Sequence, residues 1–326
     1  MQILSGDIGG TKTTLAFLEA SSTGRIQILC RSNYASRDHE SLEGILDLFL
    51  EKHAVRPDAA TFGVAGPVLD GRCRTTNLPW IIDTARLKQQ LHTEHVWLIN
   101  DLEANAWGIQ ALEAKDFFTL HPGNPRAGNR CIISAGTGLG EAGLFWNGRD
   151  HVPFASEGGH ATFSPTTEQE IALLEYLRQR YAHVGWEQLL SGAGLVSIHD
   201  FLLAEAGQEP PTQLQEEMTR GDPAAAISSA ARDGYCRTCM SAMELFTRLY
   251  GVEAGNHALK MMATGGVYIG GGIAPKILDE LRKPGFLSGF FHKGSMEPLM
   301  RSMPVKVILE PDAALLGAAL HAYRKF

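Results

Sequence analysis

Ile3-Leu4-Ser5-Gly6-Asp7-Ile8-Gly9-Gly10-Thr11 opens the chain with an apolar run that feeds straight into a glycine pair. The next stretch, Thr13-Thr14-Leu15-Ala16-Phe17-Leu18, is β-branched and aromatic with partial alternation, so it reads as a second strand and not as a helix. The glycines therefore form a tight strand-to-strand turn, whose backbone N–H groups can converge on an anion such as phosphate. Asp7, at the end of the first strand, cannot bind phosphate directly. A carboxylate there makes sense with a divalent metal between the two.

The pattern returns further along. Cys131-Ile132-Ile133-Ser134 leads into Ala135-Gly136-Thr137-Gly138-Leu139-Gly140 and then the apolar Ala142-Gly143-Leu144-Phe145-Trp146, as two halves of a duplicated fold would. Val267-Tyr268-Ile269 runs into Gly270-Gly271-Gly272-Ile273-Ala274-Pro275, with residues 276–281 expected to be helical and Pro275 in the first turn of that helix. One such turn is an ordinary hairpin; three, each capping an apolar strand, point to nucleotide binding. Gly138-Leu139-Gly140-Glu141-Ala142-Gly143 matches the dinucleotide pattern GxGxxG in letters only, because a strand and not a helix follows it. No GxxxxGK[ST] occurs, and the HRD and DFG signatures of protein kinases are missing.

With 326 residues, the chain suits one large or two ordinary domains. Its 44% hydrophobic and 20% charged content are those of a globular protein. A net charge of -7 without a Lys/Arg run argues against nucleic acid as a partner. No apolar segment approaches the roughly 18 residues of a membrane span, and the first strand begins too early for a signal peptide, so no membrane partner and a cytoplasmic location are expected. Five scattered cysteines make no disulfide framework. Cys236-Arg237-Thr238-Cys239 is a CxxC, but a zinc site needs two more ligands, and no second cysteine pair or His-rich tract lies nearby. Two small helical core residues are the expectation, with an oxidisable thiol pair as the other reading.

Strands are expected at 2–6, 12–18, 26–31, 60–64 and 96–99, and helices at 41–52 and 82–91, the latter opened by Asp83 as N-cap. A turn-rich loop at 121–125 precedes the second half, with strands at 131–134 and 142–146. Thr167-Glu168-Gln169-Glu170 has capping-box spacing ahead of a helix. Further helices are expected at 195–206, 223–250 and 257–262, then a strand at 305–309 and a helix at 313–323. This is an α/β chain of two halves, with helical insertions in the second and a nucleotide in the cleft between them.

Four groups carry candidate chemistry. Leu98-Ile99-Asn100-Asp101 ends an apolar strand in a carboxylate that suits a base for a hydroxyl accepting a phosphoryl group, or a cap for the helix that follows. In Ser156-Glu157-Gly158-Gly159-His160 the two glycines make a helical metal pair improbable, leaving a flexible loop whose carboxylate and imidazole suit sugar hydroxyls, or an ordinary polar histidine. Glu187 precedes Leu190-Ser191-Gly192-Ala193-Gly194-Leu195, a short helix ending in a glycine-rich turn. Ala65-Gly66-Pro67 turns at a strand end, while Asn77 and Trp80 line a cleft or order a loop.

In this order the motifs resemble those of the bacterial glucokinases, which share an actin-like ATPase fold of two ribonuclease-H-like halves with other sugar kinases, actin and the heat-shock chaperones. The resemblance runs from Asp7 to Pro275, with the segment from Asp312 suiting the family's closing helix. It implies an α/β fold of two domains, 1–109 with 310–326 and 110–309, with the active site in the cleft. It implies an ATP-dependent kinase acting on the 6-hydroxyl of D-glucose, with Asp101 as the base; the alternatives are a kinase for another hexose or an N-acetylhexosamine and, from another class, a non-catalytic sugar sensor on the same scaffold. Asn100, Glu157, His160 and Glu187, with Asn77, would bind the sugar. Gly9, Gly10, Thr11, Gly136, Thr137 and Gly138 would cradle the ATP phosphates, Gly271 and Gly272 would pack near the adenosine, and Asp7 would hold Mg2+ through water. A homodimer is implied as well. Repressor-type sugar kinases share Asp-x-Gly-Gly-Thr and Glu-Gly-Gly-His but add a cysteine-rich zinc motif after that histidine. Here Ala161-Thr162-Phe163-Ser164-Pro165 follows, which is similar to the zinc-free glucokinases, although Lys12 is more typical of the repressor type.

Overall fold

The computed structural model describes every residue except Thr76 and Asn77, so the Asn77 expected near the substrate lies outside the described residues. The chain runs β1 (Gln2–Ile8), β2 (Lys12–Ala20), β3 (Ile26–Ala35), α1 (Leu42–His53), β4 (Ala59–Val64), β5 (Val68–Leu69), β6 (Arg72–Arg74), β7 (Ile81–Asp83), α2 (Thr84–Leu91), β8 (Val96–Asn100) and α3 (Asp101–Gly108). It continues with β9 (Phe117–His121), β10 (Arg130–Ala135), β11 (Leu139–Trp146), β12 (His151–Ser156), α4 (Glu168–Arg178), α5 (Gly192–Ala206), α6 (Thr212–Arg220), α7 (Pro223–Asp233) and α8 (Arg237–Met261). It closes with β13 (Gly266–Gly270), α9 (Leu278–Leu281), α10 (Pro284–Phe291), α11 (Glu297–Ser302), β14 (Val305–Ile308) and α12 (Ala313–Lys325). Two compact units result. One holds Met1–Asp116, Pro153–Ala155 and Glu310–Phe326, the other Phe117–Val152 and Ser156–Leu309.

The N-terminal unit is built on a sheet of order β3-β2-β1-β4-β8. β1 and β2 pair antiparallel across the glycine turn, as the opening stretch predicts, while β1, β4 and β8 are parallel. Register sets Ile8 beside Val64 and Val64 beside Asn100, so three strand ends finish level at one edge. α12 covers β1: Ser5 Oγ donates to Leu315 O at 2.7 Å, and Thr61 Oγ1 meets His321 Nδ1 at 3.1 Å. α3 and α12 approach at glycines. A Cβ on Gly317 would lie 1.9 Å from Ala104 O, and one on Gly108 would lie 2.2 Å from Ala313 O.

The second unit repeats the plan with the order β12-β11-β10-β13-β14-β9. Again the two strands around the glycine turn are antiparallel, and the next pair, β10 and β13, is parallel, with Ser134 opposite Gly270. Tyr250 of α8 is buried beneath these strand ends, its hydroxyl 3.2 Å from the Ala135 N–H it accepts and 3.4 Å from the carbonyls of Ile133 and Gly270.

Local signals set most of the element ends. Ser41 and Asp83 accept backbone N–H groups as N-caps of α1 and α2, and Thr167 and Glu170 complete the capping box of α4. Some expectations need correction. The helix expected over 82–91 starts only at Thr84, because residues 81–83 pair with β6. The one expected over 223–250 is two helices: Gly234, at φ 76°, ends α7, and Cys236 caps α8, which absorbs the separate helix expected at 257–262. Gly192-Ala193-Gly194 is no turn but the first turn of α5, capped by Ser191; a Cβ on Gly194 would lie 2.3 Å from Leu189 O. Residues 276 and 277 are turn, so α9 starts at Leu278 and Pro275 lies outside it.

Gly317→Ala should cost about 1–3 kcal/mol, because the new methyl meets backbone of α3 and not a movable side chain. Urea denaturation of the two proteins measures it; equal midpoints would mean that α12 does not depend on this close approach.

Candidate functional site

Both units place their chemistry at the carboxyl ends of parallel strands, the edge where α/β sheets gather ligands. In the N-terminal unit Asp7 lies one residue from the end of β1, Ala65-Gly66-Pro67 follows β4, and Asn100-Asp101 joins β8 to α3. Asn100, 8% exposed, is the N-cap: its Oδ1 accepts from Leu102 N at 2.9 Å and Glu103 N at 3.3 Å, and its Nδ2 donates to Gly66 O at 3.3 Å. Capping thus falls chiefly to Asn100. Asp101 is the first helical residue, with Oδ1 accepting from Leu102 N at 2.8 Å. An acidic residue in the first turn of a helix complements the helix dipole.

The turn after β1 is closed by Gly9 N–H donating to Lys12 O at 3.0 Å. Gly9 has no positive φ; its small size matters because a Cβ would stand 3.1 Å from that carbonyl. Burial pushes the Asp7 carboxyl up to about 6; the Lys12 ammonium opposes this and the Asp312 carboxylate adds to it. Asp312, also paired with Arg31, was missed by sequence reasoning; its only signal was a Glu-Pro-Asp corner before a helix. A buried carboxylate raised in part by a second one nearby is chemistry that suits a hard divalent cation, which takes oxygen ligands.

In the second unit Gly136 N–H donates to Gly138 O at 2.8 Å, and Gly192 N–H to Gly136 O at 3.0 Å, so the first turn of α5 braces the glycine turn. Gly271, at φ 80°, turns back over β10, where a Cβ would lie 2.3 Å from Ala135 O. Gly136 and Gly272 differ: neither has positive φ, and a Cβ on either would meet nothing within 4 Å. Packing gives no reason for glycine there. Bare backbone facing open space is suited to the close approach of a ligand.

Leu139 gathers the remaining candidates. Its N–H donates to Glu187 Oε2 at 3.0 Å, and its carbonyl lies where a Cβ on Gly159 would be, at 2.0 Å. Glu187 is therefore held against the glycine turn and not left in solvent. Residues 158–160 form a short 3-10 turn in place of the flexible loop expected, tied down by Trp186 N–H donating to Ala161 O at 3.0 Å. His160 Nε2 stands 4.0 Å from Glu157 Oε2, with both side chains more than half exposed and available to a ligand. Glu157, His160, Glu187 and the turn at 136–138 are thus brought together within this unit.

Sequence reasoning missed what lies beneath them. A Cβ on Gly158 would lie 1.9 Å from Oε2 of Glu141, a buried carboxylate on β11. Burial and the neighbouring carboxylate of Glu253 push Glu141 up to about 8, and burial raises Glu253 too. His257 Nε2–H donates to Ala142 O at 3.1 Å, which leaves Nδ1 as an acceptor 3.2 Å from Glu141 Oε2; burial holds this imidazole down at about 4. A protonated Glu141 supplies the donor that these acceptors require.

Each unit presents a strand-edge glycine turn; the N-terminal unit adds carboxylates at the ends of parallel strands, and the second adds groups suited to hydroxyls. This is the device of sugar kinases with the two-domain actin-like fold, the class to which fold and site assign the chain. A family profile for glucokinase matches residues 4–325. The glucokinase of Nostoc punctiforme is 40% identical over 337 residues, covering 99% of both chains, and that of Nostoc sp. is 41% identical over 339, again 99% of both. The crystal structure of glucokinase from an Antarctic psychrotroph superposes with a TM-score of 0.85 at 29% identity, covering 99% of each chain. The chain belongs to the glucokinase family. Among the described residues no helix is long and apolar enough to cross a membrane.

The buried glutamates carry a pH signature. A carboxyl whose folded value is raised from 4.5 to about 8 adds stability that is complete below 4.5 and lost as pH rises through about 8. His257, depressed from 6.5, and Lys293, lowered to about 8 by burial, act in the opposite sense, outside the window from about 6.5 to about 8. Thermal melts across that window should fall in the native protein and flatten in Glu141→Gln. Parallel curves would show that Glu141 is ionised throughout.

Proposed function

We propose that this chain transfers the γ-phosphoryl group of ATP to the 6-hydroxyl of D-glucose, the first step of glycolysis, as a cytoplasmic homodimer. The observation that carries the reading is that Glu187 binds the backbone of the glycine turn while the Glu157/His160 turn packs on the same residue, Leu139. Groups suited to sugar hydroxyls and a turn suited to phosphate thus share one strand end. Relatives at 40% identity over the full length carry the name glucokinase, which supports glucose as the sugar.

Asp101, in the first turn of α3, accepts the proton of the attacking 6-hydroxyl. Glu157, His160 and Glu187 hold the other hydroxyls, with Asn77 and the second Nδ2 hydrogen of Asn100. Backbone N–H groups at Gly9, Gly10 and Thr11 and at Gly136, Thr137 and Gly138 bind phosphate oxygens, and Gly271 and Gly272 leave room for the adenosine. Asp7, with Asp312 beside it, suits Mg2+ bound through water; when present, the ion neutralises charge on the transferring group. The domains are taken as 1–109 with 310–326 and 110–309, and the chain as a member of the group without the cysteine-rich zinc motif after His160.

Phosphorylation assays with Mg-ATP over a panel of hexoses test this, and turnover mainly on another hexose would move the specificity away from glucose. Asp101→Asn should lower kcat by about 10²–10⁴-fold with little change in glucose affinity; near-normal turnover would remove Asp101 as the base. Glu157→Gln should raise the KM for glucose by about ten- to hundredfold while sparing the KM for ATP. An unchanged glucose KM would contradict its contact with the sugar.

A further inference from the structure

His199, Cys236 and Cys239 come together inside the second unit. Their ligand atoms, one ring nitrogen and two sulfurs, all lie within 4.8 Å of one another. His199 projects from α5, Cys236 caps α8 and Cys239 lies in its first turn, and α5 packs along α8. All three are buried, with His199 and Cys239 at 0% exposure and Cys236 at 3%.

The histidine is the informative member. Both of its ring nitrogens are buried and without a hydrogen-bond partner; the nearest carboxylate oxygen, Asp200 Oδ1, is 3.7 Å from Nδ1, too far for a hydrogen bond. A neutral imidazole always carries one N–H donor and one bare acceptor, and a buried polar group normally finds partners for both. A leucine would fill the same core with no such penalty. Cys236 Sγ accepts the Cys239 N–H at 3.4 Å, which aims the CxxC turn at one point, as sulfur ligands on a helix N-terminus are aimed.

We propose that His199, Cys236 and Cys239 bind a zinc ion that fastens α5 to α8. Ligands on tetrahedral zinc stand about 3.5–3.8 Å apart, given bond lengths of about 2.3 Å to sulfur and 2.0 Å to nitrogen. Small side-chain rotations close the observed spacing to that value. Two thiolates balance the dication, so the filled site carries no net charge into the core, and water takes the fourth position. Binding releases the two thiol protons to solvent, with no change of oxidation state. The site is separate from any motif after His160. Its consequence reaches the glycine turn, because the first turn of α5 braces Gly136.

The test uses the full-length protein. Metal analysis after purification should find one zinc per chain, and a chelator that strips it should lower the melting temperature, with recovery on adding Zn2+ alone. Co2+ in its place should give the intense visible bands of tetrahedral cobalt with thiolate charge transfer. His199→Gln and Cys239→Ser should each lose the cobalt bands, while Cys73→Ser, a buried cysteine elsewhere in the chain, keeps them. The wild-type cobalt spectrum needs no variant to fold. Protein that takes up neither ion, zinc that persists in both ligand variants, or a Cys236–Cys239 disulfide in place of metal would each overturn the proposal.

Discussion

Parallel register is the constraint on which the rest of the structure depends. Parallel strands cannot be joined by a hairpin, so each must finish at the same edge as its neighbour before the chain crosses over. Ile8, Val64 and Asn100 finish level in one unit, and Ser134 and Gly270 in the other. Residues far apart in sequence, Asp7, Gly66 and Asp101, are carried to that edge by the register of the strands they end or follow. Asn100 then joins the elements locally, since the carboxamide that caps α3 also holds Gly66.

Glycines serve two ends here, and sterics separate them. At Gly317, Gly108, Gly194 and Gly271 a methyl group would strike backbone, so the absent side chain is what lets segments meet. At Gly136 and Gly272 nothing stands in the way. Those positions face open space at a strand edge, so packing does not account for them. The buried polar groups follow a similar division. Glu170 and Tyr250 have partners that account for them, whereas Glu141 and Glu253 lie together in the core and need a proton between them.

Much of this was legible in the residues. β-Branched runs beside glycine pairs marked both hairpins, and Ser41, Asp83 and Thr167 marked helix starts, because capping and strand propensity act over a few neighbouring residues. The failures also have local causes. Gly192 and Gly194 read as a turn, since nothing in the sequence says that a neighbouring carbonyl needs their space. Residues 223–250 read as one helix, since a single Gly234 is a weak stop unless the chain must change direction. The residues expected at the site were found as types, Asp, Glu and His beside glycine. That Glu187 binds the backbone of Leu139 could not be read, because the bond spans two separate segments.

Acting alone, the sequence determined the duplicated strand–turn–strand plan and the identity of the groups at the strand edges, since both rest on short-range periodicity and on residue chemistry. Tertiary structure decided which of those groups meet. The cysteine pair makes the difference plain: by spacing it lacks the ligands of a metal site, and two helices packing side by side bring His199 to it. Neighbours across a helix interface are chosen by the shape of the whole core, and no local pattern records that choice.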